Sequence, residues 1–367
     1  MSKRKGHGRS RRALPQGGKH RIILVASLLL VLLAGGAAAR KGGLWSPRGN
    51  PQTGSQVATS SLAANSPSKE YIYAGSRLVA TEEPGNGGSI AKTPFDFEKD
   101  DKADIGIWRP SDGTWHIVKS SDQTELAGAL GVNNDLIVPA DYDGDGKTDL
   151  AVWRPSTGQW YIINSADNLT HTVGWGVSSD IPVPADYDGD GKADQAVWRS
   201  SNSTWYINGS LGAQPTITWG ANGDVPVPGD FDGDGKADIA VFRPSNDTWY
   251  IQNSSNGSTT AIGWGISGDQ VVVGDYDGDG KADVAVFRPS NGTWYIRSST
   301  NGALVVVGWG QGGDKPVPSD YDGDGKTDVA VWRPSTAQWL INGSNGSQTT
   351  VVWGVAGDQP VESAYVR

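Results

Sequence analysis

Residues 141–154 read DYDGDGKTDLAVWR, a nine-residue loop with four aspartates followed by a short apolar run that ends in arginine. Asp141, Asp143, Asp145 and Asp149 crowd their carboxylates into one tight loop, and their repulsion is costly unless a cation neutralises it. Leu150–Arg154 is strand-like, since β-branched and aromatic residues suit a pleated, buried surface. An acidic turn feeding a strand is therefore the local unit.

That unit repeats. Near-identical loops start at Asp186, Asp230, Asp275 and Asp320, and a worn copy starts at Asp96, at intervals of 45, 45, 44, 45 and 45 residues. The second unit contains four strand-like segments, Ile137–Tyr142, Leu150–Arg154, Gln159–Asn164 and Thr170–Trp175. Four strands per repeat of this length predict an all-β fold, a β-propeller of four-stranded blades with the acidic loop between strands one and two. The tail Gln359-Pro360-Val361 matches the first-strand pattern Lys315-Pro316-Val317, and Glu70–Thr81 reads as a hairpin turning at Gly75-Ser76. Together, residues 70–95 and 355–367 are expected to build a seventh, closing blade within a propeller spanning 70–367; six blades is the alternative.

The loops carry the chemistry. All-oxygen ligands at this density suit calcium, which accepts several carboxylates in flexible geometry, better than magnesium. The expected ligands are Asp141, Asp143, Asp145 and Asp149, with the Lys147 carbonyl; Asp186, Asp188, Asp190 and Asp194, with Lys192; and Asp230, Asp232, Asp234 and Asp238, with Lys236. The last two sets are Asp275, Asp277, Asp279 and Asp283, with Lys281, and Asp320, Asp322, Asp324 and Asp328, with Lys326. The first loop keeps Asp96, Glu98, Asp100 and Asp104 but has Asp101 where the others have glycine, so it is a weaker sixth site. An EF-hand is excluded, because position twelve is Val152 rather than an acid and a strand pattern follows. A polar turn that binds nothing explains one such loop, but does not require four acids in each of five copies. Each ion held only by the folded chain adds ~2.7 kcal/mol at a hundredfold excess over its dissociation constant. The chain has no cysteine, so calcium takes the place of disulfides as its staple.

Charge is split along the chain. Of its 31 basic residues, eleven lie in residues 1–50, which hold no acid; the other 20 face all 40 acidic residues, a net of −20 for residues 51–367. So acidic a body disfavours nucleic acid and anionic lipid. The basic segment 1–21 precedes an apolar run, 22–39, with the pattern of an export signal. As a hydrophobic helix its eighteen residues would span ~27 Å, so a cleaved signal and an uncleaved membrane anchor both fit. Residues 40–69 read as a disordered, flexible linker. The expected location is outside the cell, secreted or at the surface, with membrane contact only through the N-terminal segment.

Residues 96–361 resemble the FG-GAP-like repeats, also called VCBS repeats; Asp320 to Pro334, DYDGDGKTDVAVWRP, is close to the family's standard form. The resemblance implies an integrin-α-like propeller with calcium in the loops between strands one and two. It also implies roles in adhesion and in matrix or glycan binding.

Three aromatic rows recur. One precedes arginine (Trp108, Trp153, Trp198, Phe242, Phe287, Trp332) and one opens the third strand (Trp115, Trp160, Trp205, Trp249, Trp294, Trp339). The third precedes glycine (Trp175, Trp219, Trp264, Trp309, Trp353), with Leu130 in the first unit. They are expected to fill the core between blades, or in part to form sugar-stacking platforms. The recurring arginine is expected to pair with an aspartate such as Asp180 or Asp224. Only His116 and His171 fall in the repeats, and no catalytic constellation can be assembled. The functional expectation is a non-enzymatic, monomeric calcium-binding module that recognises a glycan or extracellular protein. The alternatives are a calcium-stapled scaffold and, third, a calcium-dependent enzyme acting on polysaccharide.

Overall fold

The computed structural model describes residues 70–74, 77–82 and 93–366, which fall into two units. The smaller contains one antiparallel hairpin, Glu70–Ala74 with Arg77–Glu82, irregular at Ile72/Tyr73. The basic segment 1–21, the apolar run 22–39 and the linker 40–69 lie outside the described residues. No helix among the described residues is long and apolar enough to cross a membrane.

The larger unit is a six-bladed β-propeller of antiparallel sheets. Blade 2 shows the pattern, with strands Leu136–Ile137, Leu150–Arg154, Gln159–Ile163 and Thr170–Gly174 in sheet order. Burial falls from the inside outward. Leu150 to Trp153 are all buried, Trp160 and Ile162 alternate with half-buried neighbours, and the fourth strand is largely exposed. The expected first strand Ile137–Tyr142 is much shorter. After Val138 N–H bonds the Ala151 carbonyl, Pro139 has no N–H to give, and pairing resumes only as the single bridge Ala140–Asp149. In blade 3 the fourth strand splits into Gly212–Ala213 and Ile217–Thr218, with Pro215 between them.

The expected seventh blade is not built. Gln359 pairs with Trp108 and Pro360 with Ile107, so the C-terminal strand becomes the first strand of blade 1, beside Ile105–Arg109, Thr114–Val118 and Glu125–Ala129. The physical reason is a vacancy. Blade 1 lacks an inner strand from its own end of the chain, and Gln359-Pro360 carries the first-strand pattern that fills it. The Glu70–Glu82 hairpin forms a sheet by itself.

Contacts between and within blades repeat. Trp153 and Trp160 both donate Nε1–H to the Trp175 carbonyl, while Trp175 donates to the Tyr206 carbonyl of the next blade at 3.0 Å. Trp219, Trp264 and Trp309 do likewise, and Trp353 reaches the His116 carbonyl at 3.1 Å across the seam. The first two rows are buried and the third half-buried. Packing thus accounts for most of the tryptophan usage.

The arginine expectation holds, with Arg199 on Asp180 and Arg243 on Asp224, each through two nitrogens. Asp180 also accepts the Val177 N–H, and the Arg199 guanidinium lies 4.4 Å from the Tyr206 ring centroid. At the seam the same bond joins Arg109 to Asp358 at 2.8 and 3.0 Å. Asp358→Ala removes Arg109's carboxylate partner and the acceptor of the Val355 N–H, which frees the closing strand's lead-in. It is expected to destabilise the calcium-loaded protein by about 2 kcal/mol in urea denaturation, through the lost charge-assisted hydrogen bonds; an unchanged midpoint would refute this role in closure.

Candidate metal centre

Each acidic loop is shaped by its own carboxylates. Asp141 accepts Gly144 N–H at 2.6 Å on one oxygen and Gly146 N–H at 2.9 Å on the other, which folds the loop back on itself. Both glycines have positive φ, 83° and 90°, where a side chain is strained. Gly144 has a second constraint, since an added Cβ would lie 3.0 Å from the Lys192 side chain of the next loop. Asp149 is buried and accepts Tyr142 N–H at 2.8 Å and Ser165 N–H at 2.7 Å.

The result is a converging set of oxygens. Asp141, Asp143 and Asp149; Asp186, Asp188 and Asp194; and Asp320, Asp322 and Asp328 each bring one carboxylate oxygen within 4.8 Å of the others. In two further loops the close trio is Asp230, Asp232 and Asp234, or Asp275, Asp277 and Asp279. Five clusters able to hold a metal ion thus occupy the five well-preserved loops. Asp188 Oδ1 and Asp322 Oδ1 are buried and meet no hydrogen-bond donor. Such orphaned oxygens are costly unless a cation faces them, so the donor set fits a hard divalent ion. The remaining position-five aspartates, Asp145, Asp190 and Asp324, accept the N–H of Lys147, Lys192 and Lys326 at 2.8–3.0 Å. Lys236 and Lys281 do the same to Asp234 and Asp279. Asp238 and Asp283 are buried as Asp149 is.

Burial pushes Asp149 up to about 7, opposed by its N–H donors and reinforced by the charges of Asp143 and Asp141. Asp328 rises to about 6 for the same reason. At position one, burial raises Asp186, Asp230, Asp275 and Asp320, against the pull of the glycine N–H groups.

The first loop adopts the same turn without the cluster. Asp96 accepts Lys99 N–H at 2.6 Å and Asp101 N–H at 2.8 Å, with Lys99 and Asp101 at φ 68° and 63° in place of glycines. Asp104 is buried and pushed up to about 7, chiefly by burial. Glu98, however, places both carboxylate oxygens on Ser121, and Asp100 takes the Ser120 hydroxyl. Asp96, Glu98, Asp100 and Asp104 are not among the sets whose ligand oxygens lie within 4.8 Å of one another.

Two features escaped the sequence reading. A serine follows the third strand of every blade (Ser120, Ser165, Ser210, Ser254, Ser299, Ser344), and its N–H bonds the position-nine aspartate at 2.6–2.8 Å. Its fixed spacing in all six units was the available signal. The loops are also joined around the ring. The position-eight N–H of each donates to the position-one carbonyl of the loop before it, Ala193 to Asp141, Ala237 to Asp186, Ala282 to Asp230 and Thr327 to Asp275, at 2.6–2.7 Å. Ala103 to Asp320 and Thr148 to Asp96 complete the circle, at 2.6 and 2.7 Å.

A family model described as FG-GAP-like repeat matches residues 141–197, 186–241 and 230–286, and one described as FG-GAP repeat matches 267–307. No curated protein matches the chain significantly. Among solved structures, an Agrocybe aegerita lectin, described as recognising non-reducing terminal N-acetylglucosamine, is 20% identical, covering 72% of this chain and 79% of its own, with a TM-score of 0.46. A virginiamycin B lyase from Staphylococcus aureus is 10% identical, covering 70% and 86%, with a TM-score of 0.44. A functionally unknown protein from Desulfotomaculum acetoxidans is 14% identical, covering 70% and 99%, with a TM-score of 0.43. With acidic loops in register, residues 141–307 are FG-GAP repeats of a multi-bladed β-propeller, consistent with an integrin-α-like calcium-binding propeller.

Proposed function

We propose that this propeller is an exported, non-enzymatic binding module, locked by about five calcium ions, that recognises a glycan or an extracellular protein. The observation that carries it is the set of five three-carboxylate clusters, two of them with a buried oxygen lacking any donor. At each, the aspartates at positions one, three, five and nine would hold the ion, with the carbonyls of Lys147, Lys192, Lys236, Lys281 and Lys326 filling the shell. The ion supplies charge neutralisation and cross-linking; the chain supplies a turn already folded around it.

For recognition, support comes from Val132, Val177, Ile266 and Val355. They are exposed and sit at equivalent places, just after the glycine that follows the third aromatic row. Aliphatic residues beside half-buried indoles suit sugar faces or apolar protein side chains. The scaffold reading also has an observation behind it, since every indole N–H among the described residues is satisfied within the protein.

Calorimetric titration of the full chain is expected to show about five bound calcium ions, and Asp188→Asn should reduce that number by one. A stoichiometry of zero or one would overturn the metal assignment. With chelator present, stability should depend on pH through Asp104, Asp149 and Asp328. Their folded values, about 7, 7 and 6, exceed the ordinary carboxylate value. The folded chain therefore holds more protons, and stability is greatest below pH ~4 and is lost as pH rises toward ~7. Calcium, which needs the ionised carboxylates, should invert that order, so melting with and without chelator at pH 5 and 7.5 is the check. Finally, a glycan array should lose signal with chelator and with Val177→Asp/Ile266→Asp. Equal signal in all arms would favour another surface, and no signal in any arm the scaffold.

A further inference from the structure

Two cavities are lined by residues in and just after the first strands of several blades, with Val366 in the wall of both. The one nearer the acidic loops has a volume of about 320 Å³ and is walled by Val183, Val227, Pro228, Val272, Val273 and Tyr365. This is at the small end of the ~300–1,000 Å³ typical of small-molecule sites. An apolar chamber of this size favours an apolar guest.

One buried side chain breaks that apolar lining. Glu362 is 2% exposed; Oε1 accepts the Gly106 N–H at 2.8 Å, while Oε2 is buried with no hydrogen-bond partner. A carboxylate half-satisfied in an apolar wall is costly, and a cation within reach offsets the cost. Asp275 and Asp320 also line the cavity. Lys326 lines it too, but its side chain lies across Gly278, where an added Cβ would meet Cε at 2.9 Å. Asp275 and Asp320 are committed to their metal loops, so Glu362 is the acid that gives the chamber its charge.

The geometry points to this chamber as a binding site for a small apolar amine, its ammonium group on Glu362 Oε2 and its hydrocarbon body against the valine and proline walls. An alcohol of the same shape fits the walls but brings no charge. A carboxylate of the same shape meets repulsion. Recognition therefore rests on one charge and one volume.

The calcium-loaded full chain tests this with cyclohexylamine, cyclohexanol and cyclohexanecarboxylate, read by ligand-observed NMR and thermal shift. The amine is expected to bind at least ~10-fold tighter than the alcohol, with no binding of the carboxylate. Glu362→Gln should abolish the preference for the amine, and Val273→Trp, which fills the chamber from its valine wall, should abolish binding of both. Equal affinity for amine and alcohol, no binding of any probe, or an amine preference surviving in Glu362→Gln overturns the assignment. Should Glu362→Gln fail to fold, amine binding that persists in Val273→Trp overturns it equally.

Discussion

Like charges held within one turn are the constraint on which this molecule is organised. Each well-preserved loop gathers aspartates until three oxygens stand within 4.8 Å, and the backbone is bent to keep them there. Glycines at positions four and six accept that bend, and N–H groups from within the loop, with the serine beyond the third strand, fix the carboxylates. The arrangement is preorganised for a cation and strained without one.

The loops also join the blades. Because the position-eight N–H of one bonds the position-one carbonyl of the loop before it, a distortion at one cluster is felt at its neighbour. Deeper in, the indoles fill the space between sheets, and the third row donates across each interface it reaches. At the other end of each second strand the arginine–aspartate pair ties that strand to the lead-in of the first. Metal loops, indoles and ion pairs thus act at successive depths of the same joint.

Much of this was legible in the sequence, because a repeat fixes period, strand number and loop position together. The aspartates, the tryptophan rows and the pairing of Arg199 with Asp180 follow from chemistry that must recur in each unit. Blade number did not, since Gln359-Pro360 fits both a new blade and a gap in an old one, and only pairing with Trp108 and Ile107 decides between them. The serines were visible but looked like ordinary turn residues. The first loop differs in a way the sequence hides: its acids are present, but Glu98 turns both oxygens to Ser121 and three ligand oxygens do not converge. The cavity beside Glu362 was invisible, because its walls come from blades far apart in the chain.

Blade 1 concentrates several departures from the repeat. Its inner strand is two residues borrowed from the far end of the chain, its loop lacks the cluster, and Leu130 stands where a tryptophan would reach the next blade. His116 takes the place of the tyrosine under the arginine. A ring fastened more weakly at one point behaves like a split washer: with its ions in place, it parts under heat at the join before any other spoke yields, and the other five blades survive as an open arc.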